Sequence, residues 1–219
     1  MLPLNPAIQF KALTAETFRK AVGCTEAIAE AWFEGTNAAM IEFGITKPLD
    51  QAMFLAQVAH ESTGFTAMVE SFNYSKQGLK LTFGHRLTDA EIDKWGRQPG
   101  EKTVPLERQR LIANKVYGNR MGNVNPDDGW KYRGRGPIQT TGANNYAATG
   151  DVLGVDLCAN PDLITNPDIG IRAAAHFYVS AGCLKHTDDI VLVTKLINGG
   201  SNGLDDRKKR YALAKSVLA

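Results

Sequence analysis

Apolar residues in this chain recur at helical spacing, whereas the strict alternation that marks a half-buried strand is scarce. That pattern restricts the chain to a mainly α architecture. Segment 25–43 places Ile28, Trp32, Ala39 and Phe43 near one face and stops at Gly44. Segment 48–60 opens on Pro48 and carries Met53, Phe54 and Val58 on one stripe, ending before Gly64. Pro105, read as a first helical position, introduces 106–117 with Leu111, Ile112 and Val116 apolar, and Pro167 opens 168–180. Thr187, Asp188 and Asp189 supply acceptors for the free N–H groups of 190–197, and 205–218 is basic and helical in composition. The longest irregular stretch, 118–136, is rich in Gly, Asn, Asp and Pro and too long for an idle connector. Loops are therefore expected to carry the chemistry. No internal repeat, low-complexity tract or interdomain linker interrupts the chain, which reads as one domain over 1–219 without a separate binding module.

The 219 residues are 43% hydrophobic and 22% charged, which excludes a disordered, collagenous or disulfide-scaffold protein. A chain of this length buries roughly 70% of its unfolded surface, enough for a deep core. The net charge of +2 conceals unlike halves: residues 1–99 carry 9 basic and 11 acidic side chains, residues 100–219 carry 16 and 12. Cys24, Cys158 and Cys183 are odd in number and widely spaced, which points to a reducing compartment at synthesis and away from a structural zinc site. The N-terminal stretch lacks a basic region leading into an apolar run, and nowhere do 18 apolar residues follow one another. Synthesis in the cytoplasm, without stable membrane insertion, is the expectation.

Four segments bear on chemistry. Gln57-Val58-Ala59-His60-Glu61-Ser62-Thr63-Gly64 sets a carboxyl group near the negative end of an apolar helix and against apolar neighbours, the setting of a general acid. Nine residues on, Glu70 lies in Met68-Val69-Glu70-Ser71-Phe72-Asn73-Tyr74-Ser75, and a chain turning at Gly64 would bring the two carboxylates to face each other. Such a pair in unlike environments is what glycoside hydrolysis requires. The third segment runs from Trp130 to Tyr146. It joins close-approach glycines to Arg133, Arg135 and a run of Gln, Thr and Asn suited to hydroxyl and N-acetyl groups. The fourth, Ile197-Asn198-Gly199-Gly200, ends a helix on Asn before two glycines.

In this order, the His60-Glu61-Ser62-Thr63-Gly64 signature, the Glu70–Ser75 stretch, the Arg133-Gly134-Arg135-Gly136-Pro137-Ile138-Gln139 block and Ile197-Asn198-Gly199-Gly200 resemble glycoside hydrolase family 19. The likeness covers about residues 25–219 and leans to the phage and prophage endolysin branch of that chitinase-like family. It implies a mainly α, lysozyme-like fold of two lobes with a substrate cleft. It also implies roles: Glu61 as general acid, Glu70 as general base, and Thr141 helping to hold the attacking water. Tyr74, Ser75, Gln139, Asn145, Tyr146 and Asn198 would line sugar subsites. Arg207 would stand near the carboxylates as a tuning charge, and Arg135 would brace the cleft or meet a substrate carboxylate. The chain departs from the plant chitinases: its two glutamates are closer in sequence, the disulfide cysteines are absent, and Ser201-Asn202-Gly203 brings no carboxylate.

The expected reaction is hydrolysis of β-1,4 bonds between N-acetylmuramic acid and N-acetylglucosamine of peptidoglycan, with inversion, so that the carboxyl groups stand roughly 6.5–9.5 Å apart. Lys208, Lys209 and Arg210 would draw the protein to an anionic wall. A chitinase acting on poly-N-acetylglucosamine is the nearest alternative, and a glycan-binding protein without turnover is the alternative of another class. A lytic transglycosylase fits less well, since it needs one catalytic Glu. No cofactor and no metal is expected: His60, His85 and His186 lack ligand spacing, while His176 reads as structural and His60 either fills or caps a packed surface or orients Glu61. No nucleic-acid motif is present. The expected partner is the glycan strand, with a monomer released to the wall through a holin if phage-encoded.

Overall fold

The computed structural model describes residues 10–219. Eleven α-helices run through them: α1 (Ala15–Val22), α2 (Glu26–Glu42), α3 (Pro48–Glu61), α4 (Lys76–Phe83), α5 (Asp89–Trp95), α6 (Leu106–Tyr117), α7 (Asp128–Lys131), α8 (Ala143–Leu153), α9 (Pro167–Ser180), α10 (Ile190–Asn198) and α11 (Leu204–Leu218). Extended pairing among these residues is confined to isolated bridges. Residues 1–9, part of the stretch read above for an export signal, lie outside the described residues. None of the described helices is long and apolar enough to cross a membrane.

All six helices expected from the sequence are present, with ends moved by two residues at most. Pro105 is corrected from first helical position to N-cap. Three helices escaped the apolar pattern because they are short and are defined by their caps. Thr14 and Thr88 form capping boxes with Thr17 and Glu91, and Ser75 accepts from the Gly78 N–H at 3.0 Å. The expected loop 118–136 contains α7, and the polar run that begins at Gln139 passes into α8 at Ala143. Gly142, at φ 89°, permits that entry, and a Cβ there would stand 2.5 Å from the Met121 side chain.

The chain forms two compact units. The first comprises the described residues up to Met68, Gly136–Ile138 and Leu163–Ala219. Its centre is α3, whose residues from Asp50 to Ala59 are all buried, so the helix is enclosed rather than amphipathic. Helices α1, α9 and α11 pack on α3. Phe54 is fully buried and meets Tyr178 edge to face at 5.4 Å. The helix ends in a tight turn in which Thr63, Gly64 and Phe65 all adopt positive φ. Buried Ser62 secures that turn by donating to the Val58 carbonyl at 2.7 Å and accepting from the Phe65 N–H at 2.9 Å. The Phe65 ring is then wedged against Phe18 and Trp32.

The second unit comprises Val69–Arg135 and Gln139–Asp162. Its smaller core gathers Phe72, Leu79, Ile112 and Val116, with the rings of Phe83, Tyr117 and Trp130 around Phe72. The irregular stretch after α6 is ordered by its own polar side chains. Asp128 accepts from the Val124 and Asn125 N–H groups at 3.0 and 2.9 Å. The Asn123 amide donates to the Tyr117 carbonyl and its oxygen accepts from the Ala143 N–H, both at 2.9 Å.

Phe54→Ala removes a fully enclosed ring from α3, and denaturant unfolding is expected to show a loss of about 3–5 kcal/mol.

Candidate active site

In the first unit, Glu61 is the last residue of α3 and is half-buried. Its partner is Arg207 of α11, whose guanidinium bonds the Glu61 carboxylate, bonds Gln57 Oε1 one helical turn earlier, and donates through Nε to the Asn202 carbonyl at 3.3 Å. Arg207 is 1% exposed. One expectation is corrected here: Glu61 has a full positive charge beside it and not only apolar neighbours. Arg207 stands at Glu61 as the tuning charge expected of it and, being enclosed, does not line a sugar subsite. Asn198 belongs to the same scaffold: its amide donates to the Asn202 carbonyl at 2.8 Å and its oxygen accepts from the Gly200 N–H at 2.8 Å.

His60 does not orient Glu61. Its Nδ1 meets Asp206 Oδ2 at 2.7 Å, and Asp206 also accepts from Arg210 Nε at 2.7 Å. Both partners hold the Asp206 carboxyl below its ordinary value. Arg210 is thereby half-buried and engaged, which leaves Lys208 and Lys209 as the exposed charges of the expected basic patch. Gly203 is a position where glycine is required. Its φ is +70°, and a Cβ would stand 2.2 Å from the His60 ring.

In the second unit, Glu70 is half-buried and is held by neutral donors. The Tyr117 hydroxyl donates to its Oε1 at 2.7 Å and the Gly134 N–H to its Oε2 at 3.0 Å, while the Glu70 N–H donates to the Gly134 carbonyl at 2.8 Å. Burial pushes the Glu70 carboxyl up. The Tyr117 and Gly134 bonds and the Arg133 charge oppose that rise without cancelling it. Burial and the Glu70 charge push the Tyr117 hydroxyl well up in turn, so it remains a donor. A Cβ on Gly134 would stand 2.9 Å from Gln139 Oε1 and 3.2 Å from Glu70 Oε2, so the glycine keeps both acceptors close. Gln139 itself adopts φ 54°, an uncommon conformation for a side-chain-bearing residue, beside the Arg135–Thr140 bridge. The Thr141 hydroxyl donates to the Gln139 carbonyl at 2.9 Å, which leaves its oxygen lone pairs as acceptors.

The remaining residues singled out from the sequence divide by burial. Tyr146 is fully buried in α8, where its hydroxyl donates to the Arg133 carbonyl at 2.8 Å and accepts from Arg135 at 3.2 Å. Arg135 is 3% exposed and forms an ion pair with Asp162 at 2.7 Å. Tyr146 is corrected from a sugar contact to a brace of the loop, and of the two roles offered for Arg135 the brace holds, since neither side chain reaches solvent. Asn145 is exposed on α8, with its amide on the Thr141 carbonyl at 2.8 Å. Ser75 is exposed as the α4 cap, and half-buried Tyr74 sets its ring edge-on to Phe83 at 5.7 Å. Among the described residues no group of three or more His, Cys, Asp or Glu side chains could hold a metal ion.

Sequence reasoning missed Gln57, Asn202 and Tyr117. Gln57 carried a signal, a polar residue inside an apolar helix four positions before Glu61 and hence on its face. Tyr117 carried none, because its partner is 47 residues away.

A family model described as chitinase class I matches residues 105–214. A glycosyl hydrolase family 19 domain-containing protein of Haemophilus influenzae is 40% identical over 182 residues, 82% of this chain and 85% of its own length. The chain belongs to glycoside hydrolase family 19. It is therefore a glycoside hydrolase of the chitinase-like family. Chitinase 11 of Oryza sativa is 34% identical over 100 residues, and the match spans 39% of that protein. Among solved structures, chitinase C of Streptomyces griseus superposes with a TM-score of 0.61 at 19% identity, covering 98% of this chain and 78% of that one. At that identity the likeness establishes the lysozyme-like helical fold of family 19, and nothing finer.

Arg207→Ala is expected to leave the buried Gln57 acceptor unsatisfied and the Glu61 charge unpaired, lowering stability by roughly 2 kcal/mol or more in urea unfolding at neutral pH. Gly203→Ala is expected to displace the His60 ring and lower the melting temperature, and unchanged melting would contradict the close approach described above.

Proposed function

We propose that this family 19 hydrolase is a lysin that cleaves the β-1,4 bonds between N-acetylmuramic acid and N-acetylglucosamine of peptidoglycan, with inversion, as one catalytic domain. The observation that carries the reading is the unlike setting of its two candidate carboxylates. Glu61 is held by a buried guanidinium, and Glu70 by a hydroxyl and a backbone N–H. Unlike carboxylates are what separate an acid from a base on one sugar bond. The roles follow the family 19 resemblance, Glu61 protonating the leaving oxygen and Glu70 taking a proton from the attacking water. The resting charge pattern, with Arg207 on Glu61 and burial raising Glu70, runs against that order, so the bound sugar must reverse it. Thr141, whose own proton is engaged with Gln139, accepts the water's other hydrogen. The protein is made in the cytoplasm of the host, as in the phage lysin branch, and acts as a monomer on the wall once released.

A second reading, hydrolysis of poly-N-acetylglucosamine, is favoured by the chitinase description of the matching family model and by the chitinase among its structural neighbours. The two polymers share the same bond chemistry. Incubation with purified peptidoglycan and with soluble chitin oligomers, followed by mass analysis of the new reducing ends, separates them. Reducing N-acetylmuramic acid on peptidoglycan fragments is the expected product, and turnover of chitin alone would establish the second reading.

Four further outcomes are expected. Proton NMR of the first products would show the α-anomer, because water attacks the face opposite the leaving group; a β-anomer would mean a retaining route. Glu61→Gln and Glu70→Gln should each abolish turnover while the fold persists by circular dichroism. A base works only when ionised, and the Glu70 carboxyl is raised. The acidic limb of the activity profile should therefore lie above the ordinary carboxylate range. Tyr117→Phe removes a donor that favours the charged form, so that limb should move to higher pH, and a shift to lower pH would remove Glu70 from the role of base.

A further inference from the structure

Arg133 stands out in the second unit because it is half-buried, makes no ion pair among the described residues and keeps a buried donor unbonded. Its guanidinium lies over the Trp130 indole, 3.8 Å from the ring, and one terminal nitrogen donates to the Trp130 carbonyl at 2.9 Å. Its Nε is buried and, among the described residues, has no hydrogen-bond partner. The two carboxylates whose charge acts on it are occupied elsewhere. Asp162 is paired with Arg135 at 2.7 Å, and Glu70 is bonded to Tyr117 and Gly134. Burial and the like charge of Arg135 push the Arg133 guanidinium below its ordinary value, as expected of a partly desolvated cation without an ion-pair partner. Burying a donor of this kind is costly unless something bonds it. The side chain as a whole is half-exposed, and its second terminal nitrogen, which bonds nothing among the described residues and is not enclosed, is the donor that a partner from solvent can reach.

We propose that Arg133 receives a carboxylate of the substrate, so that the indole-stacked guanidinium selects an anionic N-acetylated glycan over a neutral one at the sugar beside Glu70. A planar fork held over an indole offers parallel N–H donors, the geometry that recognises a carboxylate. Of the two glycans weighed above, only peptidoglycan carries such groups, on the lactyl ether of muramic acids that bear no stem and on the peptide stems of the others. The carboxylate-receiving role foreseen for an arginine in this segment thus falls to Arg133 and not to Arg135, which is enclosed and paired. The inference rests on the peptidoglycan reading, and binding separates the two.

Calorimetric titration of the Glu61→Gln protein, which leaves the sugars intact, compares a muramyl-containing tetrasaccharide with the tetramer of N-acetylglucosamine. Adding Arg133→Ala should weaken the muramyl ligand by roughly 10-fold to 100-fold and the neutral tetramer by no more than about twofold. Converting the ligand carboxylates to methyl amides should cost the Arg133-containing protein the same factor. The Arg133 Nε–H resonance should shift with the muramyl ligand and stay in place with its amidated form. Arg133→Gln, which keeps a polar side chain over Trp130, serves where the alanine variant melts early. Equal weakening of both ligands, or of neither, overturns the inference. If the ligand preference holds but peptidoglycan is not cleaved, the hydrolytic reading fails and the assignment of Arg133 stands.

Discussion

The buried guanidinium of Arg207 holds the end of the central helix in place. It reaches from α11 to Gln57 and Glu61 on α3 and to the Asn202 carbonyl. An enclosed positive charge is tolerable only where its donors are used, and here the carboxylate that answers it is a candidate catalytic group. The position of Glu61 is thus tied to the packing of two helices. His60 and Asp206 make a second link between the same helices, and Gly203 leaves room for the imidazole. Both contacts hold the end of α3 against α11, where the candidate Glu61 sits.

Glu70 is held by a contrasting arrangement. No guanidinium bonds it among the described residues. A phenol and a peptide N–H meet its two oxygens, and burial raises its carboxyl. Neutral donors fix the geometry of a carboxylate while leaving its basicity to be set by burial and by charges farther off. The Gly134 backbone makes this possible by approaching closely on the side where a Cβ would strike Gln139 and Glu70. Arg133 and Arg135, two residues apart, divide the work of the same loop. One is sealed against Asp162 and Tyr146, and the other is left on an indole with a donor to spare.

How much of this was legible in the sequence varies with the length scale of the interaction. Helix α3 could be read because Pro48 starts it, its stripe is apolar and Gly64 ends it, all within a span of local rules. Helices α1, α4 and α5 could not be read from stripes, since a helix of seven or eight residues shows barely two turns of periodicity and is set by its caps. The polar run at Asn144–Tyr146 shows no apolar stripe in the sequence, yet it lies within a helix. Tyr146, offered to a sugar by the family resemblance, is instead buried against Tyr132 and Arg135. Gln57 was visible as an anomaly in an apolar helix, but its meaning depended on a residue 150 positions away.

The sequence by itself determined the helical class, the placement of the long helices, the two glutamates and the motif order that marks family 19. Those depend on periodicity, on caps and on residue type, which act over a few neighbours. Only the tertiary structure decided which arginine is sealed and which is available, what stands beside each carboxylate, and that His60 serves Asp206. A charge acts through space and not along the chain. Burial, pairing and the free energy of an ionised group are therefore fixed only when distant segments have packed together.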